Sequence, residues 1–189
     1  IFAKNDEVDR INLLRHSQLP GEPLQVKTIR SGEQQKEWLS HIPETCSVKP
    51  QALVMILANA YDDPAEGERR TLLYANGDTG IVVDKGEEET GVKVRLTRTG
   101  QVVEVLPVTR EWKEAYVETD QEKADRHARA KTLGFAIPKP KYRIRGSVTY
   151  LPLRLAYATT VHKSQGLSLD RLQVNLGSWM FSQPGMTYV

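Results

Sequence analysis

The chain has 189 residues, 39% hydrophobic and 26% charged, with a formal net charge of +2. That composition is ordinary for a soluble globular protein and long enough for a sizeable core. A single cysteine, Cys46, excludes an internal disulfide and suits a reducing, cytoplasmic (intracellular) setting, and no run reaches the roughly 18 apolar residues of a membrane span. The chain opens at Ile1, directly in an apolar stretch and without a Met, so we expect a piece of a longer polypeptide.

In chain order, IFAKNDEVDRINLLRHSQL opens with a strand end, then a helix that Asn5 or Asp6 caps, with Val8, Ile11 and Leu14 along one face. Pro20, Gly21 and Pro23 stop it. LQVKTI predicts a strand and SGEQQKEWLSHI a short helix. ALVMILAN (52–59) is a nearly continuous apolar run and predicts a buried strand; the polar YDDPAEGERR follows. Asn76-Gly77 is a type I′ turn signal. Beyond it TGIVVD, VKVRLT and QVVEVLP are short, closely spaced strands that predict a small antiparallel barrel or meander. VTREWKEAYVE fits strand or helix, DQEKADRHARAKTLG a polar helix ended by Gly134, and PKPKYRIRG an extended basic linker. SVTYLPLRLAYATT returns to core composition and LDRLQVNL predicts another buried strand. Trp38, Trp112 and Trp179 suit a core better than base stacking.

Charge is unevenly spread. Residues 121–150 hold eight basic side chains against Glu122 and Asp125, whereas residues 60–90 hold nine acidic against three basic. One face for a polyanion, or two solvated loops, accounts equally well for that asymmetry. Lys139, Lys141, Arg143 and Arg145 fall at every second position, so an extended backbone points all four one way. They form either a stripe for a phosphate backbone or the solvated side of an edge strand that buries Tyr142 and Ile144.

The most informative stretch is AYATTVHKSQG (156–166). It ends an apolar run with two threonines, a histidine, a lysine, a serine, a glutamine and a glycine. At the C-terminal end of a strand, where α/β sheets bind ligands, such a donor-rich set suits phosphate oxygens. A capped strand-to-helix turn is the alternative on residue types alone. His127, His162 and Cys46 do not have metal-ligand spacing, and we predict no metal site.

Thr160-Val161-His162-Lys163-Ser164-Gln165-Gly166, followed by Leu169-Asp170, resembles motif V of superfamily 1 helicases, in the 5′-to-3′ branch of RecD-type and Pif-type enzymes. Three further stretches agree in order. Ile1–Asn12 resembles motif IV through Asn5, Val8, Ile11 and Asn12. Val54-Met55, Asn59, Tyr61, Asp62 and Asn76-Gly77-Asp78 with Gly80 resemble the start of the Src-homology-3-like barrel such helicases carry in their second motor domain. Pro184–Val189 resembles the lead-in to motif VI. Residues 107–148 have no counterpart, Pro50-Gln51-Ala52 stands where the family has a glycine before the Val-Met strand, and the segment from Asp62 to Ala75 is longer than usual.

The resemblance implies an α/β fold: a second RecA-like motor domain from residues 1–47 and 149–189, and an inserted antiparallel barrel with a basic helical arm from 48–148. It implies single-stranded DNA contacts from Thr160, His162, Lys163 and Ser164, with Asn59 and Asn76 as further candidates. Gln165, Gly166 and Asn5 fall on the nucleotide side. ATP and Mg2+ belong to the full-length enzyme, bound mainly by a first RecA-like domain of the same polypeptide. This chain has no G-x-x-x-x-G-K-[ST] loop, and it stops at Val189, before the motif VI arginine, so it holds no catalytic residue and should neither bind ATP nor hydrolyse it alone. Other classes remain: a non-catalytic module binding nucleic acid or protein, or a part of a larger relaxase or recombination enzyme.

Overall fold

A computed structural model describes residues 5–62, 69–88, 90–138, 142–160 and 173. The chain runs α1 (Asn5–Ser17), β1 (Leu24–Lys27), β2 (Ile29–Gly32), α2 (Lys36–His41), β3 (Thr45–Val48), β4 (Leu53–Ile56), β5 (Ala60–Tyr61), β6 (Leu72–Tyr74), β7 (Thr79–Lys85), β8 (Val92–Leu96), β9 (Val102–Val105), β10 (Val108–Ala115), α3 (Asp120–Leu133), β11 (Tyr142–Tyr150) and β12 (Leu153–Leu155). These residues form two compact units. One draws on residues 5–27, 44–108 and 150–160, the other on 28–43 and 109–149. The expected strand over 169–176 and the lead-in at 184–189 lie outside the described residues, apart from Gln173.

The first unit is built on a five-stranded sheet in the order β12-β4-β7-β8-β9, with every neighbour antiparallel. Period-two alternation explains it: Val92, Val94 and Leu96 of β8 point inward, each about 1% exposed or less, while Arg95 points out. Val54, Ile56, Val82 and Val105 complete the same core. Burying each such side chain contributes about 1.5–3 kcal/mol. Gly80 sits where a Cβ would lie 2.5 Å from Val94 Cγ1, so the close approach of β7 to β8 requires it. The three strands expected after Asn76-Gly77 are therefore present as a meander. β12, from beyond the expected boundary at 148, pairs with β4 from inside it.

Two local expectations are corrected. Only Gly77 of the Asn76-Gly77 pair takes a positive φ, 97°, with Asp78 N–H bonded to Ala75 O at 3.0 Å. A type I′ turn needs positive φ at both central residues, so this is the type II pattern. In α1 the buried residues are Val8 and Asn12, four apart; Leu14 is exposed, because the neighbour of α1 is the backbone at Ala158 and selects a different face.

The second unit holds the sheet β10-β11-β2 and the helices α2 and α3. VTREWKEA resolves as strand. The segment read as a basic linker continues, from Tyr142, into the central strand of this sheet, and Tyr142 and Ile144 are both exposed, not buried as in an amphipathic edge strand. β11 can pair closely with β2 because Gly32 and Gly146 face each other. A Cβ on Gly32 would lie 2.4 Å from Arg145 O. α3 buries no residue at all; Thr119 and Glu122 form a reciprocal capping box and Gly134, at φ 76°, closes its C-terminus as expected.

Candidate nucleic-acid interface

The approach to the donor-rich stretch is pinned at three consecutive residues. Ala156 N–H donates to Leu53 O at 3.0 Å, and Leu53 N–H donates to the Tyr157 hydroxyl at 3.1 Å. Ala158 is then held from α1. Asn12 Nδ2 donates to Ala158 O at 3.1 Å, and Ala158 N–H donates to Asn12 Oδ1 at 2.9 Å, with both residues buried. The amide thus pairs with this backbone as a neighbouring strand would. Thr160 follows at 5% exposure, and Thr159 Oγ1 is buried with no hydrogen-bond partner among the described residues. His162, Lys163, Ser164, Gln165 and Gly166 lie outside the described residues.

Arg154 stands on β12 opposite Met55 and reaches Met55 Sδ at 3.7 Å. Burial pushes its guanidinium pKa down, and the Asp9 carboxylate acts against that shift. A half-buried positive charge therefore lies three residues along the chain from Tyr157.

Asn59 and Asn76 meet, but to build a turn. Asn59 Oδ1 accepts from Asn76 N–H at 2.6 Å, while Gly77 N–H bonds Ile56 O at 2.8 Å. Asp78 is the hub of this turn. Its carboxylate accepts from Ala75 N–H at 3.0 Å and from Arg98 through two bonds of 3.2 and 3.0 Å. The Arg98 hydrogen bond, with help from Ala75 N–H, holds the Asp78 carboxyl below its usual range. Both asparagine side chains are exposed.

In the second unit, Lys139 and Lys141 lie outside the described residues. Arg143 and Arg145 are engaged by carboxylates: Arg143 Nη2 with Glu122 at 3.0 Å, and Arg145 with Glu114 at 2.6 Å and Glu33 at 3.6 Å. Arg143 also lies over the Tyr116 ring, 5.2 Å from its centroid. Arg126 bonds both oxygens of Glu118, the nearer at 2.7 Å, and Ile137 O at 3.0 Å.

Among the described residues no group of three or more His, Cys, Asp or Glu side chains could hold a metal ion. The sequence has no phosphate-cradling glycine loop. Tyr157 and Arg154 are site-building residues that sequence reasoning did not assign, while Asn12 and Asp78 entered it only through the family resemblance.

No family model matches the chain. In an alignment of 212 positions that takes in the whole chain, it is 26% identical to the ATP-dependent DNA helicase PIF1 of Emericella nidulans, covering 28% of that protein. In an alignment of 194 positions, again with the whole chain, it is 30% identical to the ATP-dependent DNA helicase Pif1 of Bdellovibrio bacteriovorus, covering 35%. The chain therefore spans only about a third of the length of these relatives. Among solved structures, 90% of the chain superposes on Pif1 helicase from Bacteroides in complex with ADP-AlF3 and ssDNA, with a TM-score of 0.58 and 25% identity, covering 32% of that chain.

Proposed function

The chain belongs to the Pif-type family of superfamily 1 DNA helicases, and from that premise we propose that it is the strand-gripping part of an ATP-dependent 5′-to-3′ DNA helicase. Its mixed α/β fold is that of a RecA-like helicase domain. In this proposal residues 1–47 and 149–189 are the second motor domain. Residues 48–148 are its insertion, with the β4–β7–β8–β9 meander as an Src-homology-3-like barrel.

The observation that carries the proposal is the pinned approach to residues 160–166, fixed by Leu53 and Asn12 at Ala156, Tyr157 and Ala158. A rigid root is what a group needs to hold phosphates in register. His162, Lys163 and Ser164 contact the sugar–phosphate backbone of single-stranded DNA, with Thr160 as the buried base of the group. Such contacts are independent of base sequence and suit movement along a strand. Asn59 and Asn76 contribute a secondary exposed contact. The basic stripe enters through Lys139 and Lys141, since Arg143 and Arg145 already hold carboxylates.

Gln165, Gly166 and Asn5 face the nucleotide. The triphosphate and its Mg2+ are bound chiefly by a first RecA-like domain elsewhere in the same polypeptide, and the protein works inside the cell. A Bacteroides relative crystallised with ADP-AlF3 and ssDNA supports both ligands for the whole protein. The test is polarity: the intact protein, given ATP, should separate a duplex bearing a 5′ single-stranded tail and not one bearing only a 3′ tail. Separation from the 3′ tail alone, or none from either, would overturn the proposal.

A further inference from the structure

α3 is a helix without an apolar seat. None of its residues is buried, so no packed side chain fixes it to the sheet. Among the described residues, the one ion pair that crosses from α3 to the sheet runs from Arg143 Nη2, on the central strand β11, to Glu122 Oε1 at 3.0 Å, with both side chains part-exposed. Arg126, one turn further along, bonds Glu118 and Ile137 O, which flank the helix rather than lie in the sheet. Glu122 divides its carboxylate. Oε1 takes Arg143, while Oε2 accepts from the Thr119 N–H and hydroxyl in the capping box. The cap therefore does not depend on Arg143. Those Thr119 bonds hold the Glu122 carboxyl below its usual range, so it stays ionised. Arg143 has a second neighbour in the Tyr116 ring, 5.2 Å to the centroid, which helps it keep its place when the carboxylate leaves.

We propose that α3 is a strap that nucleic-acid phosphate releases: a phosphate of single-stranded DNA takes Arg143, displaces the Glu122 carboxylate, and lets α3 come away from β11 with its cap intact. Arg143 then joins the basic stripe. An exposed ion pair is weak, and Glu122 engages one nitrogen of the guanidinium. A phosphate offers two oxygens to the same fork and is the stronger partner, and the ionised Glu122 is repelled by it. Charge favours this occupant: residues 121–150 hold eight basic side chains against two acidic ones, and Glu122 is one of the two. The proposal rests on the functional reading that the intact protein binds single-stranded DNA.

The experiment uses the intact protein and oligo-dT, with amide hydrogen exchange and binding by fluorescence anisotropy. Free of the sheet, a helix of 14 residues is marginal in water, so release is read as faster exchange across residues 120–133. Saturating oligo-dT should accelerate exchange there while β4, β7 and β8 stay slow. Glu122→Gln keeps the shape and the capping acceptor but loses the charge that holds Arg143. It should show the fast exchange without DNA and bind oligo-dT about threefold tighter, the scale of one exposed ion pair. Asp125→Asn removes the same charge from an α3 residue that does not meet Arg143 and should do neither. Adding Arg143→Gln to Glu122→Gln should abolish the gain in affinity. If the native protein binds oligo-dT while exchange across 120–133 stays as it was, or if Glu122→Gln and Asp125→Asn tighten binding equally, the release is overturned and the functional reading stands. If the native protein binds no oligo-dT, the functional reading has failed, and the release with it.

Discussion

Arg98 holds Asp78 by two parallel hydrogen bonds of 3.2 and 3.0 Å, and the same carboxylate caps the Ala75 N–H of the turn that carries Asn76. Arg98 lowers the Asp78 pKa from its ordinary value of 3.8. A depressed carboxylate contributes stability that is present above the unfolded value and lost as pH falls through the folded one. Asp78→Asn should therefore lower the melting temperature by a few degrees at neutral pH. The gap between variant and native protein should close as the solution is acidified below 3.8. Melting curves from pH 7 to pH 2.5 check this; a gap that persists at the lowest pH would mean the charge does not matter.

Gln51 occupies the third position of a turn from Lys49 to Ala52, closed by Ala52 N–H to Lys49 O at 3.0 Å, and has φ 68°. It takes the left-handed conformation that glycine adopts most readily. Left-handed backbone costs a side-chain-bearing residue about 1–2 kcal/mol, and glycine's extra freedom when unfolded offsets about half of that. Gln51→Gly should stabilise the protein by about 0.5–1 kcal/mol, read as a raised denaturant midpoint with unchanged slope.

α3 has no buried residue, so its helicity depends on its caps and on ion pairs at Arg126 and Arg143. Thr119→Ala removes the hydroxyl half of the capping box and should cost the helix about 1 kcal/mol. Amide exchange across residues 120–133 should accelerate while exchange in β4, β7 and β8 stays slow. Equal acceleration everywhere would show that α3 is part of the cooperative core.

Cys46 is buried, with its Sγ 3.7 Å from Leu153 O, and burial pushes its thiol pKa up to about 11. The thiolate is the reactive form, so alkylation of native protein at pH 8 should be far slower than in denaturant. Equal rates in the two conditions would contradict the burial of this thiol.

Much of the first unit was legible in the sequence because one force shapes it. Val92-Lys93-Val94-Arg95-Leu96 alternates cleanly, so that strand and its inward face follow from period two, whereas Ile81-Val82-Val83 of β7 is apolar throughout and buries only Val82. Gly134 similarly announces the end of α3, whereas the Thr119 cap at its start was not read. The errors lie where tertiary partners decide. Nothing local in NDEVDRINLL says that Asn12 rather than Leu14 turns inward, since that depends on a backbone 146 residues away. KPKYRIRG reads as a basic linker until Glu33, Glu114 and Glu122, distant in sequence, are seen to hold its arginines. The bonds that Leu53, Tyr157 and Asn12 make at residues 156–158 were not legible, since each joins segments more than 100 residues apart.

The central claim, that residues 160–166 grip single-stranded DNA, is tested most directly by binding across a salt series. Fluorescence anisotropy with labelled oligo-dT should show weaker binding of intact protein carrying His162→Ala and Lys163→Ala together. The plot of log affinity against log salt should flatten by about 0.7 for each phosphate that the variant no longer neutralises. Native affinity with a native slope, in a variant that melts normally, would contradict it.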